Sequence, residues 1–149
     1  MIRARPIRET ASFALAKVCR AHRSNVGELL AEVGLHVGQE MVLVELWDED
    51  GLRGGDLAAR LGVEAPTVTK MVRRLERCCL VERRQDREDA RSFRVYLTGE
   101  GRSLEERVAL CWERAEEQLL AGMSVGERRN FLLLLTKARA NLDPGFGAQ

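Results

Sequence analysis

Four cations set the chemistry open to this sequence. Lys70, Arg73, Arg74 and Arg77 fall within the stretch Ala65–Arg77, together with Pro66, Thr67 and Thr69. On a helix, at about 100° per residue, Pro66, Lys70, Arg73 and Arg77 share one side. Val68, Met71, Val72 and Leu75 share the other, with Thr69 and Arg74 at the margins. One face of such a helix packs. The other offers cations to phosphates and guanine edges, and threonines to phosphates or thymine methyls. A cationic helix face is often no more than a solvated surface, so its meaning depends on what surrounds it. Enzyme chemistry lacks its parts: there is no Gly-rich phosphate loop, nucleophile elbow or His-Glu-x-x-His run. Cys19 and His22 lie three apart on one helical face, but His22 and His36 are the only histidines and no Cys-x-x-Cys occurs. No metal and no cofactor is expected.

The elements that must position these cations can be read on either side of them. Ala58, Gly62 and Val68 have helix-turn-helix spacing. Ala58 is small enough for a close helix crossing, Gly62 permits a left-handed turn, and Val68 fills the angle between the helices. Residues 55–61 then form the first helix of the pair. After the second, residues 80–85 and 92–98 alternate apolar and polar side chains, with Phe93, Val95 and Leu97 on one face, as a β-hairpin does. The loop between them, residues 86–91, is too charged to be core, and Leu52–Arg53 is placed to add a short strand. A helix-turn-helix followed by a two-stranded wing is a winged helix. The expected class is mainly α with a small β-wing.

The runs GDLAARLGVEAPTVTKMVRRLER, LVERRQDREDAR and VYLTGEGR resemble the MarR family of bacterial transcriptional regulators, and the order of flanking helices extends the likeness over nearly the whole chain. The most specific part is the wing pattern Asp86-x-x-Asp89-x-Arg91 followed by Leu97-Thr98-x-x-Gly101. The resemblance implies a recognition helix in the major groove and a wing arginine in the minor groove. It points to Pro66, Thr67, Thr69, Lys70 and Arg73 on the helix and to Arg91, oriented by Asp89, on the wing. Arg74 and Arg77 extend the basic face, or else pair with Glu76 or Glu82. Ala90 stands where the family often has a second Arg, and Cys79 where it usually ends the recognition helix with Gly. The resemblance also implies repression from a pseudo-palindromic double-stranded operator, and release by a small aromatic or phenolic anion. That ligand would sit in a cleft between dimer helices and DNA-binding lobe, for which His22, His36 and Trp47 are the candidates. Some relatives sense oxidants through a first-helix cysteine, which singles out Cys19; the adjacent Cys78 and Cys79, near Arg74, Arg77 and Arg83, form a second thiol candidate. The plainer readings are a buried hydrophobe for Cys19 and, for the wing, a surface cluster in which Asp86, Glu88 and Asp89 neutralise the arginines.

Composition fits a globular chain: 149 residues, 45% hydrophobic and 32% charged. A net charge of +1 speaks against a nucleic-acid partner until it is divided along the chain. Residues 51–98 hold 11 Lys/Arg against 7 Asp/Glu, while residues 1–50 hold 6 against 8 and residues 99–149 hold 7 against 8. The positive field is therefore local. No stretch reaches the roughly 18 apolar residues of a membrane span, and no long apolar run follows the basic start. Four cysteines without framework spacing suit a reducing cytoplasm. Helices are expected over residues 9–33, 36–49, 99–121 and 125–142, with a loose arm over residues 1–8 and a frayed tail from residue 143. Ser124 and Glu127 have capping-box spacing. Residues 131–135 are apolar round more than half the last helix, which calls for a second subunit as cover. The expected organisation is N-terminal helices (1–50), a winged helix-turn-helix (51–98) and C-terminal dimerisation helices (99–149). A winged helix that docks on protein is the alternative of another class, and one that has no need of a basic face.

Overall fold

Up to the wing, three helices stop at a residue in the left-handed region, and those stops lay out this part of the chain. In the computed structural model, which describes residues 5–143, α1 (Ala11–Ala31) ends through Gly34, α3 (Gly54–Leu61) through Gly62, and α4 (Ala65–Arg77) through Cys79. At each stop two backbone N–H groups return to helix carbonyls: Gly34 to Ala31 and Leu35 to Leu30, Gly62 to Ala59 and Val63 to Ala58, Cys79 to Glu76 and Leu80 to Leu75. This paired closure satisfies carbonyls that would otherwise be orphaned at a helix end. Gly62 makes the helix-turn-helix corner that its spacing predicts. Cys79, with φ at 57°, is the one non-glycine of positive φ among the described residues. A Cβ is crowded there.

α2 (Gln39–Asp48) begins three residues later than its pattern predicts, at the left-handed Gly38. Two buried side chains serve its entry turn. Gln39 Oε1 accepts from the His36 N–H at 2.8 Å, and the Glu40 carboxylate accepts from the Gly38 N–H at 2.6 Å. Burial pushes the Glu40 carboxyl above its ordinary value, against the backbone N–H groups of Glu40 and Gly38 and nearby Arg23. α1 also starts late, capped by Thr10, whose hydroxyl accepts from the Phe13 N–H at 3.2 Å. A 3-10 turn, Ile7–Glu9, occupies part of the segment expected as a loose arm. Residues 1–4 of that arm and residues 144–149, nearly all of the expected tail, lie outside the described residues.

The core gathers Leu29 and Leu30 of α1, Val42, Leu43 and Leu46 of α2, Leu57 of α3, and Val68, Val72 and Leu75 of α4. The apolar side of α4 is thus the packed one. α1 buries only Val26, Leu29 and Leu30, while Leu15 and Val18 on its predicted stripe are exposed. α2 is not enclosed all round as its sequence suggests, since Met41 and Val44 are also exposed. β1 (Leu52–Arg53), β2 (Val81–Gln85) and β3 (Phe93–Leu97) form an antiparallel sheet in the order β1-β3-β2. Leu52 faces Val95 and Val81 faces Leu97.

The helix expected over residues 99–121 is interrupted at Leu104, giving α5 (Gly99–Ser103) and α6 (Glu105–Leu119). The Ser103 hydroxyl turns back to the Glu100 carbonyl at 2.8 Å beside that break, the local competition that serine offers a helix backbone. Thr98 caps α5 by accepting from the Gly101 N–H at 3.0 Å. Gly101 is required by contact: a Cβ there would lie 2.0 Å from the Leu80 carbonyl oxygen. The chain divides into two compact units, Met1–Ala115 and Glu116–Gln149. In the second, α7 (Val125–Leu142) opens with the predicted capping box, Ser124 and Glu127 bonding reciprocally. Leu132, Leu133, Leu134 and Leu135 are all exposed in the single chain.

Two glycine exchanges test these backbone assignments in opposite directions. Gly101→Ala should cost about 1–3 kcal/mol, because neither the Leu80 carbonyl nor the Thr98 cap can retreat without moving the sheet. Cys79→Gly should gain up to about 1 kcal/mol by relieving the left-handed cysteine. Urea unfolding of the two variants against the parent reads both signs.

Candidate nucleic-acid interface

Because α4 buries Val68, Val72 and Leu75, its opposite side must stand in solvent. Pro66, Thr67, Lys70, Arg73, Arg74 and Arg77 are all exposed there, and Thr69 is half-buried with its hydroxyl donated to the Ala65 carbonyl at 3.1 Å. The two carboxylates expected as partners for Arg74 and Arg77 are engaged elsewhere. Glu76 accepts from Arg83 Nε at 2.8 Å and from the Arg83 backbone, and Glu82 pairs with Arg84. Among the described residues Lys70, Arg73, Arg74 and Arg77 form no ion pair; Arg77 Nε donates only to the Arg73 carbonyl, at 3.3 Å.

The wing is organised by the first Asp of its Asp-x-x-Asp-x-Arg pattern, which is a buried joint and not a surface charge. Asp86 opens the charged loop expected to lie outside the core, yet it is only 4% exposed. One of its oxygens accepts from the Glu88 and Asp89 backbone N–H groups at 2.8 and 3.2 Å. The other accepts from Arg53 Nε at 2.8 Å and Arg94 Nε at 2.7 Å. The Glu88 N–H foremost, with Arg53, the Asp89 N–H and Arg94, holds the Asp86 carboxyl well below the usual carboxylate range despite its burial. The first Asp of the Asp-x-x-Asp-x-Arg pattern was the available signal; Arg53 had none, since its partner lies thirty-three positions away, and Arg94 pairs across the hairpin.

The arginines neutralised in this way belong to β1 and β3, not to the wing tip. Arg87 and Arg91 are exposed and form no ion pair among the described residues. Asp89 accepts the backbone N–H of Arg91 at 3.0 Å, so it fixes the main chain that carries the arginine. The loop closes through Asp86 N–H to the Ser92 carbonyl and Ser92 N–H to the Asp89 carbonyl. Ala90, in the place of a second arginine, contributes its carbonyl to Gln85 Nε2 at 2.9 Å. A crevice of about 280 Å³ brings Ala65 and Thr69 of α4 to the same wall as Asp89 and Arg91.

The remaining candidates separate. Trp47 lines an apolar groove of about 590 Å³ with Met41, Val44 and Trp112, and His22 meets the Trp112 ring edge-on at 6.0 Å. His36 is elsewhere, in a groove of about 510 Å³ with Gln39, Arg74, Arg77 and Cys78. Eleven residues would bring His36 and Trp47 round to one face of a continuous helix, but α2 begins only at Gln39, so the periodicity does not reach His36. Cys19 is exposed and so is not the buried hydrophobe of the plainer reading; Cys78 and Cys79 are exposed, and Cys111 is buried with its thiol 3.4 Å from the Leu29 carbonyl.

Known proteins share this arrangement. Residues 35–93 match the MarR family model. The chain is 36% identical over 104 residues to the HTH-type transcriptional regulator YwoH of Bacillus subtilis, covering 70% of this chain and 75% of that protein. It is 35% identical over 129 residues to the HTH-type transcriptional regulator TtmR of Methylorubrum extorquens, covering 87% of this chain but only 63% of the longer relative. The structure of the S. aureus MepR–DNA complex superposes with a TM-score of 0.81 at 26% identity, over 90% of this chain and 98% of the other. No described helix is long and apolar enough to cross a membrane.

The Asp86 arrangement has a pH signature. Its folded pKa is depressed, so its contribution to stability is complete above the unfolded value of about 4 and is lost as pH falls below that. Asp86→Asn should lower the melting temperature at neutral pH and flatten the acid limb between roughly pH 5 and 2.5. A variant that melts like the parent at pH 7 would show that Asp86 does not hold the wing.

Proposed function

Since the chain belongs to the MarR family of transcriptional regulators, DNA-binding proteins rather than enzymes, we propose that it is a repressor acting as a homodimer on a pseudo-palindromic operator. The observation that carries this reading is the set of unpaired cations on α4 beside a wing whose tip arginines are also unpaired. A protein-docking wing would gain nothing from leaving these charges uncompensated, whereas a phosphate backbone supplies the missing partners. Lys70 and Arg73 are assigned to base edges and adjacent phosphates, with Pro66, Thr67 and Thr69 at the leading end of the helix. Arg74 and Arg77 are assigned to phosphates. Arg91 reaches the minor groove from a loop whose backbone Asp89 pins.

Two recognition helices must stand about 34 Å apart to meet successive major grooves. A fixed dimer holds that spacing, and the exposed leucines of α7 supply apolar surface for it. In this reading residues 1–50 and 99–149 carry dimerisation, residues 51–98 bind DNA, and the protein works in the cytoplasm at the nucleoid. Release comes from a small aromatic ligand taken up in the groove that contains Trp47. Such a ligand must discriminate between the two states: shifting a 99:1 preference to 1:99 takes about 5.5 kcal/mol of differential affinity.

Binding to a duplex selected from a random pool, followed by fluorescence anisotropy, should weaken steeply with salt as counterions are released. Lys70→Ala and Arg73→Ala should each cost about 1–3 kcal/mol, and Arg91→Ala should weaken binding with less loss of sequence discrimination. Undiminished affinity in the Lys70/Arg73 double variant would sink the assignment. Sedimentation should show a dimer at micromolar concentration, and a folded monomer there would refute the proposed geometry.

A further inference from the structure

A recess borders α4 on the side away from the wing. It holds about 510 Å³ and is lined by His36, Gln39, Arg74, Arg77 and Cys78. The start of α2 leans on that flank of the helix: a Cβ at Gly38 would lie 3.7 Å from the Met71 methyl. On the opposite flank, Ala65 and Thr69 share their crevice with Asp89 and Arg91. The exposed face of α4 therefore has the wing tip along one edge and His36 along the other. A helix seated in a major groove has a phosphate strand on each side. The wing accounts for one of these edges, and α2 stands at the second.

The side chains of this recess offer donors. Gln39 gives its carbonyl oxygen Oε1 to the His36 N–H. Its amide nitrogen has no protein acceptor, and no buried side-chain nitrogen or oxygen among the described residues is left without a partner, so that nitrogen reaches solvent. Arg74, Arg77 and His36 are exposed, and no Asp or Glu is among the lining residues. The carboxylate nearest in sequence, Glu40, is turned inward: it is buried, accepts from the Gly38 N–H and feels Arg23 of α1. The Cys78 thiol is the one other titratable group on the wall. Two guanidinium groups, an amide nitrogen and an imidazole together suit an anionic oxygen.

We propose that this recess binds a phosphate of the DNA backbone, with His36 as its pH-sensitive member. The proposal rests on the DNA-binding reading above and adds to it a contact from the start of α2 and a proton. A phosphate beside an imidazole favours the charged form, so the complex takes up a proton at His36. Affinity is then greatest where the imidazole is charged, and it declines as pH rises through the ordinary histidine range. Lys70, Arg73 and Arg91 belong to residue types that keep their charge throughout that range, so the pH step belongs to the recess.

Anisotropy with the selected duplex, in buffer free of inorganic phosphate, should show affinity falling at least about fivefold from about pH 6 to about pH 7.5. His36→Gln should remove that step, binding at the lower pH about as the parent does at the higher. His22→Gln, at the only other histidine of the sequence, should keep it. The His36 side chain is exposed, so an unchanged melting temperature is expected and separates a lost contact from a lost fold. Neutral methylphosphonates placed one at a time along the duplex test the unaltered chain. They should reveal a position in each half-site where the parent loses its pH step and His36→Gln loses nothing more. A step that survives His36→Gln, as titration of Glu40 or Cys78 would give, overturns the proposal. A flat methylphosphonate scan, as expected of a recess that takes only free phosphate, overturns it too. Either result leaves the Lys70 and Arg73 assignment standing, whereas a duplex left unbound at both pH values would end both readings.

Discussion

The buried carboxylate of Asp86 is the joint on which the basic surface of α4 and the wing depends. β1 and β3 pair with Arg53 directly across from Arg94, and two like charges in register repel. Asp86 stands between them and accepts from both. A carboxylate taken from water at this depth is tolerable only when its oxygens are filled with donors of good geometry. Here two backbone N–H groups on one oxygen and two guanidinium groups on the other fill them. The same four bonds tie the short strand before the helix-turn-helix to the far end of the wing. They also draw the loop into the turn that presents Arg91.

The pairing pattern elsewhere follows the same logic. Glu76 lies on α4 among the cations and could have neutralised them, but Arg83 of β2 holds it. The helix is thereby joined to the wing while its own arginines stay unpaired. A second line of bonds runs from the end of α4 toward the groove. The Thr98 hydroxyl donates to the Cys79 carbonyl at 2.6 Å and accepts from the Gly101 N–H, while the Gly101 carbonyl receives the Trp47 indole. One threonine and one glycine thus separate the turn that closes α4 from Trp47. Continuity of this kind is spatial; coupling is a free energy, and it exists only if the joint has two arrangements that ligand and DNA favour differently.

What could be read from the sequence was what the backbone decides locally. Gly62 and Val68, the alternation of Phe93, Val95 and Leu97, and the Ser124–Glu127 box all depend on neighbours a few residues away, and each stands as its pattern predicts. The failures share the opposite property. Asp86 reads as a solvated loop residue because its partner Arg53 is thirty-three positions distant. His36 and Trp47, candidates for one ligand cleft, line separate grooves, because α2 begins only at Gln39. Leu15 and Val18 carry a core-like stripe, but α1 packs only near its C-terminal end. A stripe specifies that a surface wants cover without specifying whether the same chain supplies it.

A net charge of +1 conceals a local positive field. Around α4 and the wing, carboxylates are spent on scaffold arginines, Asp86 on Arg53 and Arg94 and Glu76 on Arg83, which leaves the outward cations bare. Beside α2 the roles reverse: Arg60 and Arg102 are spent on Glu45, Glu49 and Asp50. Total charge therefore says nothing about either surface. What matters is which charges the fold has already compensated, because a compensated ion offers a ligand little, while a bare one beside an apolar wall acts at reduced dielectric. This is why the basic stretch could be recognised from sequence once its charges were counted locally.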